Sequence, residues 1–131
     1  MEGPENLLYT QEHEWVHVSG NGNYAKVGIT QFAQDQLGDI VFVELPEVGT
    51  LIEQETPFGV VESVKTVSDL YAPVSGTVKS VNHDLESNPE QVNKEPYGSG
   101  WIIEIEISDK NELEKLMSPE KYIEQCDKEQ G

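Results

Sequence analysis

Residues 58–71 read Phe58-Gly59-Val60-Val61-Glu62-Ser63-Val64-Lys65-Thr66-Val67-Ser68-Asp69-Leu70-Tyr71, and the fold turns on how they are parsed. Valine and aromatic residues dominate, so strands are expected over 58–64 and 67–71. Lys65 lies between them. It is the only lysine between Lys26 and Lys79, and it interrupts what would otherwise be one continuous strand. Val64, Lys65 and Thr66 are poor turn formers with no Gly, Asn or Pro beside them, so pattern alone leaves a turn here undecided. On composition, Lys65 reads first as an ordinary solvated side chain.

Outward from this stretch the chain stays strand-rich. Val and Ile number 22 against 14 for Leu, Ala and Met together. Strands are expected over 15–18 and 24–27 around a Ser-Gly-Asn-Gly-Asn loop, over 40–45 up to Pro46, over 76–81 and over 101–107. The last alternates apolar and acidic (Ile103, Glu104, Ile105, Glu106, Ile107), as a sheet with one wet face should. Thr30 offers an N-cap to a short helix carrying Phe32, Ala33 and Leu37, with Gly38 to end it. After Ser108 the period changes. Asp109-Lys110-Asn111-Glu112 resembles a capping box before Leu113, Leu116 and Met117, and Ser118-Pro119 starts a second helix with Tyr122, Ile123 and Cys126. The tail over 127–131 is polar and expected to fray. No linker divides the chain, so one domain over 1–131 is expected. Thr56-Pro57-Phe58-Gly59 and Glu95-Pro96-Tyr97-Gly98 share a Pro-aromatic-Gly core, as two similar sheets of a pseudo-symmetric sandwich would.

Composition narrows function. The 131 residues carry 25 acidic and 8 basic side chains, net −17, and every basic residue is lysine. Such a surface repels phosphate backbones and anionic membranes, so neither nucleic acid nor membrane is an expected partner. The longest apolar run, Ile40-Val41-Phe42-Val43, is too short to span a bilayer, and no signal peptide is visible. At this length the chain can bury roughly two thirds of its unfolded surface, and 36% apolar content argues against disorder. Cys126 is the sole cysteine, so no internal disulfide or Cys-x-x-Cys pair exists.

Two motifs fail on context. His13-Glu14-Trp15-Val16-His17 matches the H-E-x-x-H pattern of a small zinc peptidase, but that motif needs a helix to bring residues four apart onto one face. On the expected strand the histidines stand roughly 13 Å apart at about 3.3 Å per residue. An acyl carrier protein shares the acidity, but its Asp-Ser-Leu attachment signature appears here as Ser68-Asp69-Leu70 in strand context.

A third pattern is specific. Glu62-Ser63-Val64-Lys65, then Asp69, Ala72-Pro73 and Ser75-Gly76, resembles the lipoyl-attachment region of the glycine cleavage system H proteins. The resemblance extends through His13-Glu14-Trp15, Val27-Gly28-Ile29-Thr30, Ala33-Gln34-Asp35, Leu37-Gly38, Phe42-Val43-Glu44-Leu45-Pro46, Pro96-Tyr97 and Gly100-Trp101, in family order. It implies a mostly β hybrid barrel-sandwich of two small sheets, with a short helix and C-terminal helices, and places Lys65 at a hairpin tip. It implies that lipoic acid is joined to Lys65 by an amide, and that the protein is a carrier without catalysis of its own. The carrier would shuttle an aminomethyl group and reducing equivalents among glycine decarboxylase (P protein), aminomethyltransferase (T protein) and dihydrolipoamide dehydrogenase (L protein). A lipoate ligase or an octanoyl/lipoyl transferase would load it. Glu14, then Asp69, are the expected carboxylates of the cleft that shelters the cationic arm. Glu62 is expected to serve recognition by the lipoylating enzyme, and Gln36 stands where some members have histidine. A lipoyl or octanoyl relay, modifying the same lysine, is the alternative. A bacterial-type cytoplasm is the expected location, or the mitochondrial matrix for a processed form.

Overall fold

A computed structural model describes residues 7–19 and 21–130. In chain order the elements are β1 (Leu8–Tyr9), β2 (Glu14–Val18), β3 (Tyr24–Ile29), α1 (Gln31–Leu37), β4 (Ile40–Glu44), β5 (Leu51–Ile52), β6 (Pro57–Ser63) and β7 (Val67–Tyr71). They continue with β8 (Gly76–Val81), α2 (Asp84–Ser87), α3 (Gln91–Lys94), β9 (Ile103–Ile107), a 3-10 helix over Lys110–Lys115, and α4 (Pro119–Gln130).

The strands form two antiparallel sheets, a six-stranded one ordered β1-β2-β3-β9-β8-β5 and a three-stranded one ordered β4-β6-β7. The alternation of β9 has the expected cause. Ile103 and Ile105 are buried, Glu104 and Glu106 face outward, and Lys26 on β3 stands opposite Glu104. Between the sheets lies the core, including Val27, Val43, Val61, Leu70, Val78, Ile103 and Ile105. The mostly β sandwich with few helices agrees with the expectation, although the two sheets are unequal.

Local signals explain the joints. Thr30 Oγ1 accepts the Ala33 amide and caps α1, while the Gly38 amide donates to the Gln34 carbonyl at its end. Gly38 has φ +84°, where a Cβ would be strained. Gly28 faces Trp15 across the β2–β3 pair. A Cβ there would lie 2.6 Å from three indole atoms. The flat contact lets Trp15 Nε1–H reach the Pro96 carbonyl at 2.8 Å. A second buried cluster, Leu7, Tyr9, Trp15, Phe32, Tyr122 and Cys126, fastens the C-terminal helix to the start of the chain. Tyr9 and Tyr122 stack at 4.4 Å, and Tyr9 and Met117 exchange two backbone hydrogen bonds.

Several local expectations need correction. Strand β9 begins at Ile103: the ladder pairs Val27 with Ile103, so the Ile102 amide reaching the Val27 carbonyl is out of register, and Trp101 follows the turn over 96–100. Residues 110–115 wind as a 3-10 helix rather than an α-helix. The tail does not fray at Asp127: α4 runs to Gln130, held by Tyr122 and buried Cys126. The Pro-aromatic-Gly echo is not a structural repeat, since Pro57 opens β6 whereas residues 96–100 form turns. In the loop over 19–23, Gly20 lies outside the described residues, and the Ser19 amide closes onto the Tyr24 carbonyl. No helix among the described residues is long and apolar enough to cross a membrane.

Candidate functional site

Strands β6 and β7 pair down to Glu62 opposite Val67, and residues 64–66 make the turn. The turn is built by Ser63. Its amide donates to the Thr66 carbonyl at 2.8 Å, and its Oγ accepts the amides of Lys65 and Thr66 at 3.1 Å each. A hydroxyl supplying these local acceptors replaces the turn residues the segment lacks. The Val64 amide donates to the Asp39 carbonyl, tying the tip to the α1–β4 junction. The Lys65 stem lies against Gly38, where an added Cβ would stand 3.4 Å from Lys65 Cε.

Lys65 is exposed at this tip. Both ion pairs among the described residues belong to histidines, so no carboxylate claims its ammonium. Acylation of Nζ would therefore remove a charge without stranding a partner, and the open tip leaves room for a long amide-linked chain. These residues fit such a group. Around the tip, Val64 is 66% exposed, Val67 61% and Phe42 48%. Glu62 lies half-buried between Phe42 on β4 and Val67 on β7.

The opposite end of β7 reaches a cleft of about 450 Å³, whose lining includes Thr10, Glu12, Glu14, Tyr71 and Met117. Val67 to Tyr71 spans roughly 13 Å at about 3.3 Å per residue, comparable with an extended acyl-lysine arm. Glu14 opens β2 and is only 2% exposed. Thr10 Oγ1–H donates to its Oε1 at 2.6 Å, and the Tyr71 amide donates to its Oε2 at 3.3 Å. Burial pushes the Glu14 carboxyl up to about 8, with these donors pulling the other way and Glu12 adding to the rise. A carboxyl so placed exchanges its proton near neutral pH, and a cation brought beside it would favour the ionised form. Asp69 is not in the cleft lining. It is exposed, two residues before Tyr71 on the same outward face of β7, facing Val60 across the pair. Gln36 is exposed on α1 and also lies outside the cleft lining.

His13 serves the scaffold. It adopts φ +69°, a left-handed conformation that histidine tolerates better than most residues. Its carbonyl accepts the Thr30 amide. The ring places Nδ1 2.9 Å from Tyr122 Oη and Nε2 3.3 Å from Glu129 Oε1, while Tyr122 Oη also lies 2.5 Å from Thr30 Oγ1. His17 is exposed on β2 opposite Lys26. The H-E-x-x-H run is thus a turn followed by a strand, with the His13 ring engaged by Tyr122 and Glu129 and His17 exposed on β2. Among the described residues no cluster of three or more His, Cys, Asp or Glu could hold a metal.

Sequence reasoning did not single out Thr10, Tyr71, Met117 or the turn-building Ser63. Only Ser63 carried a local signal, a hydroxyl placed to accept amides two and three residues ahead.

Comparison with known proteins adds to this geometry. The profile of the Glycine cleavage H-protein family matches residues 7–129. A Glycine cleavage system H protein of Brevibacillus brevis is 62% identical over 122 residues, covering 93% of this chain and 95% of the relative. One of Bacillus cereus is 58% identical over 124 residues, covering 95% and 96%. The crystal structure of a glycine cleavage system H protein from Mycobacterium marinum superposes with a TM-score of 0.86 at 37% identity, covering 94% of this chain and 98% of that one.

Proposed function

The chain belongs to the glycine cleavage H-protein family, and from that premise we propose that Lys65 is the residue to which its lipoic acid is attached. The protein is a lipoyl carrier of the glycine cleavage system. It works among that system's glycine decarboxylase, aminomethyltransferase and dihydrolipoamide dehydrogenase, and a lipoate ligase or octanoyl/lipoyl transferase loads it. The observation carrying the assignment is the exposed Lys65 ammonium on the Ser63-built turn, with no carboxylate among the described residues paired to it. Lipoate bound there supplies a ring disulfide on a long tether, the redox couple that buried Cys126, the sole thiol, cannot offer.

The chain's own residues position, shelter and release. Ser63 fixes the turn and Gly38 gives the Lys65 stem a smooth surface to swing across. Glu14 meets a cationic cargo with a carboxylate held by Thr10 and the Tyr71 amide, and loses its proton as the cation arrives. Tyr71 and Met117 line the same cleft and limit the water reaching it. Asp69 and Val67 lie along the route between tip and cleft, and Glu62 reads the lysine's neighbourhood for the loading enzyme. These residues hold and deliver, so the bond-making falls to the partner enzymes and the chain catalyses no step on its own.

Intact mass spectrometry after expression in lipoylation-competent cells tests the assignment. One lipoyl adduct is expected, mapping to the peptide containing Lys65 and absent from a folded Lys65→Ala protein. An adduct on another lysine, or none on the wild type, would refute it.

A further inference from the structure

We propose that Thr10 is a positioning residue for the cleft, fixing the Glu14 carboxyl as a hydrogen-bond acceptor aimed at the arm's cationic cargo; this rests on the cleft role of Glu14 given above. Four observations carry it. Thr10 and Glu14 close a turn on each other, the Thr10 amide donating to the Glu14 carbonyl at 3.0 Å. The Glu14 amide donates to Thr10 Oγ1 at 3.1 Å, while Thr10 Oγ1–H donates to Glu14 Oε1 at 2.6 Å. Because the Glu14 amide already occupies an acceptor site on the hydroxyl, the hydroxyl proton is left to point at the carboxyl. Tyr9, the preceding residue, is pinned to Met117 through two backbone hydrogen bonds, so Thr10 is mounted on the part of the chain that ties the C-terminal segment down.

The arrangement leaves Glu14 Oε1 held by a strong donor and Oε2 only loosely held by the Tyr71 amide at 3.3 Å. Oε2 is therefore the oxygen with capacity to spare for an ammonium. A donor hydroxyl favours the ionised carboxyl over the neutral one, which is the form a cation needs. Glu12, Glu55 and Lys115 are the other charged groups lining the cleft. Of these, Glu12 adds to the retention of the proton. None of the three makes a hydrogen bond to the Glu14 side chain, so among the described side chains Thr10 alone fixes its direction.

The test compares Thr10→Val, Thr10→Ser and Glu14→Gln in the full chain. In the unloaded protein, carbon-13 NMR titration of the Glu14 carboxyl reads the hydroxyl's effect without any activity. Thr10→Val, which keeps the shape and removes both the donor to Oε1 and the acceptor of the Glu14 amide, should raise the titration midpoint by about one pH unit or more, and Thr10→Ser should restore both contacts and the midpoint. In protein loaded through glycine and the decarboxylase, ammonia release at pH 7 reads retention. Release should be about tenfold faster in both Thr10→Val and Glu14→Gln, near wild type in Thr10→Ser, and no faster in the Thr10→Val/Glu14→Gln double variant than in either single one. An unmoved midpoint in Thr10→Val, or a serine variant that fails to restore it, overturns the role of Thr10. Fast release in Glu14→Gln with wild-type release in Thr10→Val overturns Thr10 alone. Wild-type release in Glu14→Gln overturns the cleft reading and Thr10's role with it.

Discussion

Replacing Glu14 by Gln should change the pH dependence of stability more than stability itself. In the unfolded chain this carboxyl releases its proton near its ordinary value of 4.5, and in the folded chain near 8. Between those values the folded protein holds a proton that the unfolded chain has lost. Folding stability linked to Glu14 is therefore fully present below about pH 4.5 and drains away as pH rises through 8. At about 1.36 kcal/mol for each unit of pKa difference, the loss across that interval is about 4–5 kcal/mol. Glu14 is only 2% exposed, so solvent screening reduces this little. Glutamine keeps the acceptor for Thr10 and does not titrate. Guanidinium unfolding of both proteins at constant ionic strength, in steps from pH 4.5 to 9, gives the difference directly. The remaining carboxylates, common to both chains, largely cancel. The wild type should be favoured at pH 4.5 relative to its standing at pH 8.5, with the difference curve falling by several kcal/mol and levelling off above 8. A difference curve flat between pH 5 and 8 would refute the reasoning, because the Glu14 carboxyl would then titrate as if solvated.

Two further outcomes follow from the scaffold. Ser63→Ala removes the acceptor for the amides of Lys65 and Thr66, at a cost of about 1 kcal/mol; hydrogen exchange should accelerate at those two amides and not in β2, and equal rates in the two proteins would contradict the turn's construction. Gly28→Ala drives a methyl into the Trp15 indole and should destabilise by about 2–4 kcal/mol through overpacking and the lost bond to Pro96, read as a lower guanidinium midpoint; an unchanged midpoint would mean the ring yields freely.

The legible parts of the fold were those with short-range causes. The alternation at Ile103–Ile107 announced a half-wet strand, and Thr30 and Gly38 announced the ends of α1, because each signal acts within a few residues. The pairing of β3 with β9 joins residues some eighty positions apart and leaves no local trace. Helices α2 and α3 are four residues each, too short for a periodic pattern. Lys65 was found through resemblance, since its turn is made by a preceding hydroxyl rather than by turn residues. Glu14, by composition one acid among 25, was likewise named only through resemblance; its burial comes from tertiary packing of β2 against Tyr71. The tail misled because its polarity is genuine, while one face, bearing Tyr122 and Cys126, is anchored.

The Tyr9–Met117 bridge has a consequence for how the molecule is handled. It makes the Glu14 cleft, the proposed shelter of the arm, a joint product of both ends of the described chain, whereas the Lys65 hairpin is made wholly from its middle. A fusion tag or a proteolytic nick that loosens either terminus would reach the shelter without altering any residue that lines it. The loading site would meanwhile stay intact, and a preparation could pass every assay of modification while having lost its hold on the cargo.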